Sequence, residues 1–332
     1  MLPTPAVDDR AIYDAFASRF IFPTLAISVE IGLYELLYKT PCNIAGVAAQ
    51  LQLEPRAAEA VVAVVSTLGF LKIDGDGRLE LTPDAETYLL AGSPFFRREL
   101  ARFESPSVDA LRVAMGTQHD PVAPLAVNLG ALPAEQVRSF IELMHSMTMP
   151  AATGLARQPV FGGMQRLLDV AGGSGSLSLA IADRHPDLEC TLLDLPVVGT
   201  IASQNIERYG LGERVRIVSA DMFQDPWPTG FDGLLFGNIF HDWDLESCRF
   251  LSRCAFDALQ PGGTICLHEM LLDDRKDGPL TVACFSIAML LHEKGKQFTA
   301  GELEELLLEA GFRDFRVTPS YGYYSLVTAT RR

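Results

Sequence analysis

Hydrophobic and polar positions change their spacing near residue 160 of this chain. From Arg166 onward, short apolar runs such as RLLDVA, ECTLLD, FDGLLFGN and GGTICLHEM alternate with stretches of helical periodicity. Apolar runs separated by helices are typical of a parallel sheet that helices cover on both faces. The final stretch, GFRDFRVTPSYGYYSLVTAT, has too few residues between its two strands for a crossover helix, so one strand must run antiparallel.

The first half of the chain has mostly helical periodicity. The stretch AIYDAFASRFIFPTLAISVEIGLYELL predicts a helix that is interrupted near Pro23. Residues 43–51 and 54–70 predict two helices joined by a very short turn, and residues 71–82 predict two strands around a Gly-Asp-Gly turn. Helix, turn, helix and β-hairpin in this order are typical of a winged-helix domain.

Composition and charge limit the possible partners. A chain of 332 residues, 48% of them hydrophobic, can form two domains with buried cores. With a formal net charge of −15, the chain lacks the excess of cationic residues that binds nucleic acid or anionic membranes. The second helix of the winged-helix pattern carries Glu54 and Glu59 but only Arg56 as a base. We therefore expect this helix to be buried, for example in a dimer, and we expect no nucleic acid and no membrane as partners.

Targeting signals and metal-binding spacings are missing from the sequence. The N-terminal residues MLPTPAVDDR lack the basic start and apolar core of a signal peptide, and the apolar windows 60–71 and 283–291 are too short to span a bilayer. The six cysteines include no CxxC pair, which is typical of free thiols in a reducing compartment. The six histidines include no HxxxH or HExxH spacing. These features predict a cytoplasmic protein without a metal.

A glycine-rich turn in LLDVAGGSGSLSLA, residues 167–180, follows the first strand of the alternating half. Gly173 and Gly175 match a GxGxxG fingerprint, but Ser178 takes its third position, so the match to NAD or FAD sites is weak. A P-loop is excluded because the GK[ST] ending is missing. The pattern Asp-x-Ala-x-Gly-x-Gly, beginning at Asp169, is closer to the acidic-first glycine motif of S-adenosylmethionine enzymes. A tight strand-to-helix turn without a ligand is the alternative.

Two acids follow the next strands at positions where a nucleoside can be bound. Asp194 ends the strand in CTLLDLP, where a carboxylate can accept both ribose hydroxyls of NAD or of S-adenosylmethionine. A solvent-exposed helix cap is the alternative for this residue. Asp221 and Met222 follow the third strand, where an acid can accept the adenine amino group and Met can cover the purine face.

His241 stands in GNIFHDWD, residues 237–244, where an apolar strand gives way to a helix. A histidine there can cap the helix or pack in the core, or it can act as a general base. The carboxyl ends of parallel strands face the crevice in which α/β proteins bind ligands. That position favours the general base.

The segments LLDVAGGSGS, LLDLP, ADMF and NIFHDW, in this order and spacing, resemble the small-molecule O-methyltransferases of the plant caffeate, acetylserotonin and bacterial natural-product tailoring type. The resemblance covers nearly the whole chain and implies S-adenosylmethionine as cofactor and a homodimer formed by the N-terminal domain. It implies that His241 is the general base and that Glu269, 28 residues further on, orients it. Where the plant enzymes have a second supporting acid, this chain has Gln297.

The predicted fold is α/β, with a Rossmann-like methyltransferase sheet that is mostly parallel and ends in an antiparallel hairpin. Before it stands an N-terminal winged-helix dimerisation domain that is all-helical apart from its hairpin. The predicted regions are a dimerisation domain (1–95), a helical connecting region that lines the acceptor pocket (96–160) and the S-adenosylmethionine-binding domain (161–332). The predicted cofactor-binding residues are Asp169, Ala171, Gly172, Gly173, Asp194, Leu195, Asp221, Met222, Phe223, Gly237 and Asn238. The predicted acceptor contacts are Met144, His145, Asp242, Met289 and His292.

The function predicted from these residues is methylation of a hydroxyl on a small aromatic or polyketide-type natural product, as in antibiotic biosynthesis. C- or N-methylation is an alternative, because Gln297 interrupts the pair of supporting acids. A second alternative is a family member that binds S-adenosylmethionine but performs hydroxylation or decarboxylation. A winged-helix regulator and an NAD dehydrogenase are weaker alternatives.

Overall fold

The computed structural model describes residues 11, 14–15, 18–97, 129, 132–274 and 278–332. The chain divides into two compact units, residues 1–106 and 107–332, which are described separately below. The predicted connecting region, 96–160, lies largely outside the described residues up to position 131. Its C-terminal part forms a long helix of the second unit.

The helices and strands of the first unit whose bounds lie within the described residues are α1 (Ile21–Glu30), α2 (Leu33–Lys39), α3 (Ile44–Gln50), α4 (Pro55–Thr67), β1 (Leu71–Ile73), β2 (Leu79–Leu81) and α5 (Pro83–Tyr88). The predicted pair of helices followed by a hairpin is confirmed, and β1 pairs antiparallel with β2. Leu33, Val62 and Leu79, from α2, α4 and β2, are fully buried in one core.

The helix break predicted near Pro23 is confirmed: Ser18 is helical, Arg19 and Phe20 form a turn, and α1 begins at Ile21. Pro23 lies in the first turn of α1, where the backbone N–H groups have no helical partner and a missing N–H breaks no bond. A second break, which was not predicted, falls at Gly32, whose left-handed φ of 74° ends the helical path between α1 and α2. None of the described helices is by itself long and apolar enough to cross a membrane, although α1 and α2 together, as a bent pair, meet the length and composition criteria.

The second unit is an α/β sandwich with a seven-stranded sheet. Its described elements are α6 (Ala134–Leu155), β3 (Arg166–Val170), α7 (Ser176–Arg184), β4 (Glu189–Asp194), α8 (Pro196–Arg208), β5 (Val215–Ser219), β6 (Phe231–Gly237), α9 (Leu245–Ala258), β7 (Leu259–Met270), α10 (Leu280–His292), α11 (Ala300–Glu309), β8 (Phe312–Tyr321) and β9 (Tyr324–Arg331). The strand order is β5-β4-β3-β6-β7-β9-β8. Strand β9 runs antiparallel to both neighbours, which confirms the predicted C-terminal hairpin on a mostly parallel sheet.

The central strands read as continuous apolar runs because both of their faces are covered. Leu168 and Leu234 pack into the core on one face of the sheet. Their chain neighbours Leu167 and Leu235 pack into a separate core on the other face. All four side chains are fully buried, as the alternation of side chains along a strand requires when helices cover both faces.

The sheet has its topological switch point between β3 and β6. The chain moves outward from β3 to β4 and β5 on one side, and from β6 to β7 on the other. Ligands of open α/β sheets bind at the carboxyl ends of the strands at such a point. Ala171 and Asn238 directly follow β3 and β6, and both have left-handed backbones, with φ of 53° and 57°. Non-glycine residues in this region are strained and concentrate at functional sites.

Candidate active site

The glycine turn joins the carboxyl ends of β3 and β4. The Gly173 N–H donates to Asp194 Oδ2 at 2.8 Å, and the Ala171 N–H donates to the Leu193 carbonyl at 2.8 Å. Gly175 has a left-handed φ of 80° and precedes the first residue of α7. The backbone of the turn therefore lies at the switch point of the sheet. The hydrogen bond to the Asp194 carboxylate holds it on one side.

Asp169 lies beneath this turn and is fully buried. Its Oδ2 accepts a hydrogen bond from Ser178 Oγ at 2.6 Å, so the residue that breaks the GxGxxG pattern instead supports the acid. Burial raises the pKa of Asp169 to about 7. Asp169 thus lies under the turn and is hydrogen-bonded to Ser178, and its contact with the cofactor stays a prediction.

Gly172 packs against this buried acid with no room for a side chain. A Cβ there would lie 2.8 Å from Asp169 Oδ2 and 2.9 Å from Leu192 Cδ1. We expect Gly172→Ala to raise the dissociation constant of S-adenosylhomocysteine about tenfold and to lower the free energy of unfolding by ~1–3 kcal/mol, because overpacking moves the turn. Calorimetric titration and thermal unfolding measure the two effects.

Gly162 is the matched control for that substitution. No heavy atom of the described structure lies within 4 Å of a Cβ built on Gly162. Gly162→Ala should therefore bind S-adenosylhomocysteine as the wild type does. Equal affinity in the two alanine variants would contradict the role given to the turn.

Asp194 has the geometry of a hydroxyl acceptor. Its Oδ1 accepts from the Leu195 N–H at 2.7 Å, and its Oδ2 accepts from Gly173. Burial raises the pKa of Asp194 to about 6 although both hydrogen bonds act in the opposite direction. A carboxylate has about four lone-pair positions, so two remain for the hydroxyls of a ribose.

The loop after β5 is held in place by Asp221. Its Oδ1 accepts from the Phe223 N–H at 2.8 Å, and its Oδ2 accepts from Gln224 Nε2 at 2.7 Å. The Phe223 ring packs edge-on against Trp243, with ring centroids 4.5 Å apart. The carbonyl of half-buried Met222 accepts from Trp227 Nε1 at 2.9 Å. The predicted adenine contacts thus lie on one ordered turn.

Gly237 is the last residue of β6, Asn238 follows it, and β6 is the neighbour of β3 at the switch point. A Cβ on Gly237 would collide with Leu177 of α7, so the glycine lets that helix pack closely on the strand end. The Asn238 N–H donates to the His268 carbonyl at 3.1 Å, which ties the end of β6 to β7. Asn238 Oδ1 is buried and has no hydrogen-bond partner among the described residues.

His241 and Glu269 form a buried pair at the ends of β6 and β7. His241 Nδ1 lies 2.7 Å from Glu269 Oε2. The other carboxylate oxygen, Oε1, accepts the N–H groups of Ile239 and Phe240, each at 3.0 Å. Glu269 therefore holds both the ring and the backbone turn that carries it, as the resemblance implied.

The carboxylates around His241 favour the protonated, imidazolium form of its ring. Burial acts to lower the pKa of His241, but the carboxylates of Glu269 and Asp242 outweigh it and hold the pKa well above 6.5. Asp242 Oδ1 lies 3.3 Å from His241 Nε2, the ring nitrogen that Glu269 leaves free. Asp242 thus belongs to the site and contacts the histidine directly.

His145 lies at the glycine turn. Its Nδ1 is 2.9 Å from Ser174 Oγ and 3.0 Å from Ser176 Oγ. Burial and the positive charge of Arg208 lower its pKa, so the ring is neutral at pH 7. The structure brings this predicted acceptor contact to the cofactor side of the site.

The other predicted acceptor contacts lie on two helices. Met144 is half-buried on α6, Met289 is half-buried on α10, and His292 is exposed at the end of α10. Their contact with an acceptor stays a prediction. Ser174 and Ser176 were missed, although both stand in the glycine motif. Asn205, whose Nδ2 donates to the Ser174 carbonyl at 3.0 Å, carried no signal in the sequence.

The residues present fit S-adenosylmethionine. No heavy atom of the described residues lies within 4 Å of a Cβ built on Gly173, so the turn has an open approach beside Asp194. Asp194 offers free lone pairs to a ribose, and the turn lacks the lysine that a phosphate site uses. Together with the His241–Glu269 pair, this site on this sheet defines the class of S-adenosylmethionine-dependent methyltransferases.

Comparison with known proteins identifies the family. The O-methyltransferase domain family matches residues 127–313. The 3-hydroxy-5-methyl-1-naphthoate 3-O-methyltransferase of Streptomyces sahachiroi is 32% identical, over 88% of this chain and 86% of that protein. The L-tyrosine C(3)-methyltransferase of Streptomyces lavendulae is 27% identical, over 88% and 83%. The apo structure of the S-adenosylmethionine-dependent methyltransferase SibL is 28% identical and covers 98% of this chain and 99% of its own, with a TM-score of 0.80.

The chain therefore belongs to the O-methyltransferase domain family. It is an S-adenosylmethionine-dependent methyltransferase, and S-adenosylmethionine is its cofactor.

Proposed function

We propose that the enzyme methylates a hydroxyl of a small aromatic or polyketide-type acceptor, with His241 as the general base. The observation that carries the proposal is the buried His241–Glu269 pair, with Nδ1 and Oε2 2.7 Å apart at the switch point of the sheet. The relative from Streptomyces sahachiroi, which is named for a hydroxynaphthoate, supports an aromatic hydroxyl as the target.

In this reaction each nitrogen of His241 has a separate task. Glu269 Oε2 accepts the Nδ1 proton, so Nε2 of the neutral ring carries the lone pair that takes the proton of the acceptor hydroxyl. S-adenosylmethionine, held by the glycine turn and Asp194, would supply a sulfonium methyl group to the acceptor oxygen, and the electrons of the broken carbon–sulfur bond would stay on sulfur. The negative charge of Glu269 stabilises the imidazolium that forms. A positioned base contributes roughly 10²–10⁴-fold to the rate.

Asp242 sets the pH at which this base becomes available. His241 acts as a base only when neutral, so the rate should rise with pH through the His241 pKa and then level off. Asp242→Asn removes one of the two charges that raise this pKa. We expect the acid limb of kcat/KM to move to lower pH by about one unit, measured with 2,3-dihydroxynaphthalene as acceptor.

Asp183→Asn is the control for that profile. Asp183 is exposed on α7, and its substitution makes the same change in net charge. This variant should keep the wild-type acid limb. If the acid limb of Asp242→Asn coincided with that of Asp183→Asn, Asp242 would not act on the group that titrates.

C-methylation is a second candidate, favoured by the likeness to the L-tyrosine C(3)-methyltransferase. A base that deprotonates a phenol also activates the ring carbon next to the oxygen. The same His241–Glu269 pair serves both reactions, and the position of the transferred methyl distinguishes them.

Dimerisation through the first unit and a cytoplasmic location also stay proposals. Apolar side chains on and beside α1 are exposed in the described chain, with Phe20 at 53% and Ile27 at 41% exposure. Such side chains support a homodimer interface on this unit.

A further inference from the structure

Gln297 is a buried amide with unused hydrogen-bonding capacity. Its side chain belongs to a residue that is 1% exposed, and neither Oε1 nor Nε2 has a hydrogen-bond partner among the described residues. Buried polar side chains in folded proteins nearly always have a partner in the protein, in water or in a ligand. An amide has two N–H donors and one carbonyl acceptor, so this site leaves both kinds of group open.

The segment that carries Gln297 packs against the His241 turn. The Lys294 N–H donates to the Asp242 carbonyl at 3.2 Å. A Cβ on Gly295 would collide with the His241 carbonyl oxygen and would lie 2.6 Å from the Trp243 nitrogen. Gly295 is therefore required for the backbone to approach the base this closely, and Gln297 follows two residues later.

Contacts on the other side fix the position of Gln297 within the second unit. Its backbone N–H donates to Ser286 Oγ of α10 at 3.3 Å. The next residue, Phe298, is buried in the same core as Phe240 and Trp243, which flank His241. The segment that carries the open amide thus contacts both α10 and the turn that carries His241.

The charges nearby limit what this amide can bind. Glu269 and Asp242 both contact the His241 ring, so two carboxylates already lie at the turn against which the Gln297 segment packs. A second anion would be repelled there. A neutral hydroxyl suits the site, because it can donate to Oε1 and accept from Nε2 of the same amide.

We propose that Gln297 is a specificity-determining residue that selects acceptors with a second, neutral hydroxyl next to the reacting one. This inference rests on the proposed function, because it places the reacting hydroxyl at His241. It adds the substrate class: a vicinal dihydroxyarene is preferred to a monohydroxyarene and to a hydroxyarene carboxylate. An acceptor without the second hydroxyl leaves the amide buried and unpaired, which costs affinity.

The test is calorimetric titration of the enzyme saturated with S-adenosylhomocysteine, which prevents turnover. The probes are 2,3-dihydroxynaphthalene, 2-naphthol and 3-hydroxy-2-naphthoate. We expect the wild type to bind the dihydroxy compound about tenfold more tightly than 2-naphthol, and the carboxylate most weakly. In steady-state assays the same preference should appear in KM and leave kcat within about twofold.

The decisive variant is Gln297→Met, which keeps the side-chain length without the amide. It should bind 2,3-dihydroxynaphthalene about tenfold less tightly than the wild type does, and 2-naphthol equally or more tightly. If Gln297 had only a structural role, its replacement would weaken the binding of both compounds. Gln158→Met is the matched control, since the Gln158 amide donates to the Pro319 carbonyl at the surface, and it should keep the wild-type pattern. If Gln297→Met does not bind S-adenosylhomocysteine, Gln297→Leu replaces it.

A wild type without preference for the dihydroxy compound, or a Gln297 variant that retains the preference, would overturn the inference. Failure of the proposed function gives a different result. Preferential binding without any methyl transfer would contradict the proposed function and leave the role of Gln297 in binding intact. Methyl transfer without the preference would overturn the inference about Gln297 alone.

Discussion

Replacement of His241 by Gln is expected to slow methyl transfer about 10²–10⁴-fold, the contribution of a positioned general base. The affinity for S-adenosylhomocysteine should change less than about threefold, because this variant removes the proton acceptor and leaves the cofactor contacts in place. Single-turnover rates and calorimetric titration on the same preparation measure the two quantities. The remaining activity should lose the acid limb of the pH profile, since the titrating group is gone.

His185→Gln is the control for this substitution. His185 contacts the Ala156 carbonyl through Nε2 at 2.9 Å and takes no part in the site. It should retain wild-type turnover. If His241→Gln transferred methyl as fast as this control, His241 would not be the base, whatever its contact with Glu269.

Glu269→Gln is expected to have the second largest effect, a loss of about 10²–10⁴-fold in kcat. The amide oxygen can still accept the Ile239 and Phe240 N–H groups that Oε1 accepts now. The amide nitrogen then donates to His241 Nδ1, so the ring must carry its proton on Nε2 and cannot accept one there. The variant also lacks the charge that stabilises the imidazolium.

A double variant tests whether the two residues act as one unit. Residues that serve one step have strongly non-additive effects. The His241→Gln, Glu269→Gln pair should be no slower than His241→Gln alone, within about threefold. If the loss of rate in the double variant equalled the product of the two single losses, Glu269 would have a separate function, such as a direct contact with substrate.

The sequence predicted the sheet and most of the site because the relevant signals are local. Buried parallel strands read as unbroken apolar runs, and each predicted site acid, at 169, 194 and 221, lies at or just beyond a strand end. The Glu269 partner of His241 was found only through the family resemblance. Their side chains meet because β6 and β7 are adjacent, with Gly237 paired to His268.

Other features depend on packing that a sequence does not display. The helix break near Pro23 was predicted, but the second break, at Gly32 between α1 and α2, was not. His145 gave no sign of its hydrogen bonds to two serines of the glycine turn. The close approach of Gly295 to the His241 turn and the missing hydrogen-bond partners of the Gln297 amide among the described residues left no sign in the sequence.

The most direct test of the central claim is the location of the transferred methyl group. The wild-type enzyme is incubated with deuteromethyl-labelled S-adenosylmethionine and 2,3-dihydroxynaphthalene, and the product is analysed by mass spectrometry and NMR. The account predicts one labelled methyl per product, bonded to oxygen, formed with one equivalent of S-adenosylhomocysteine. A product labelled on a ring carbon, or cofactor bound without any transfer, would contradict it.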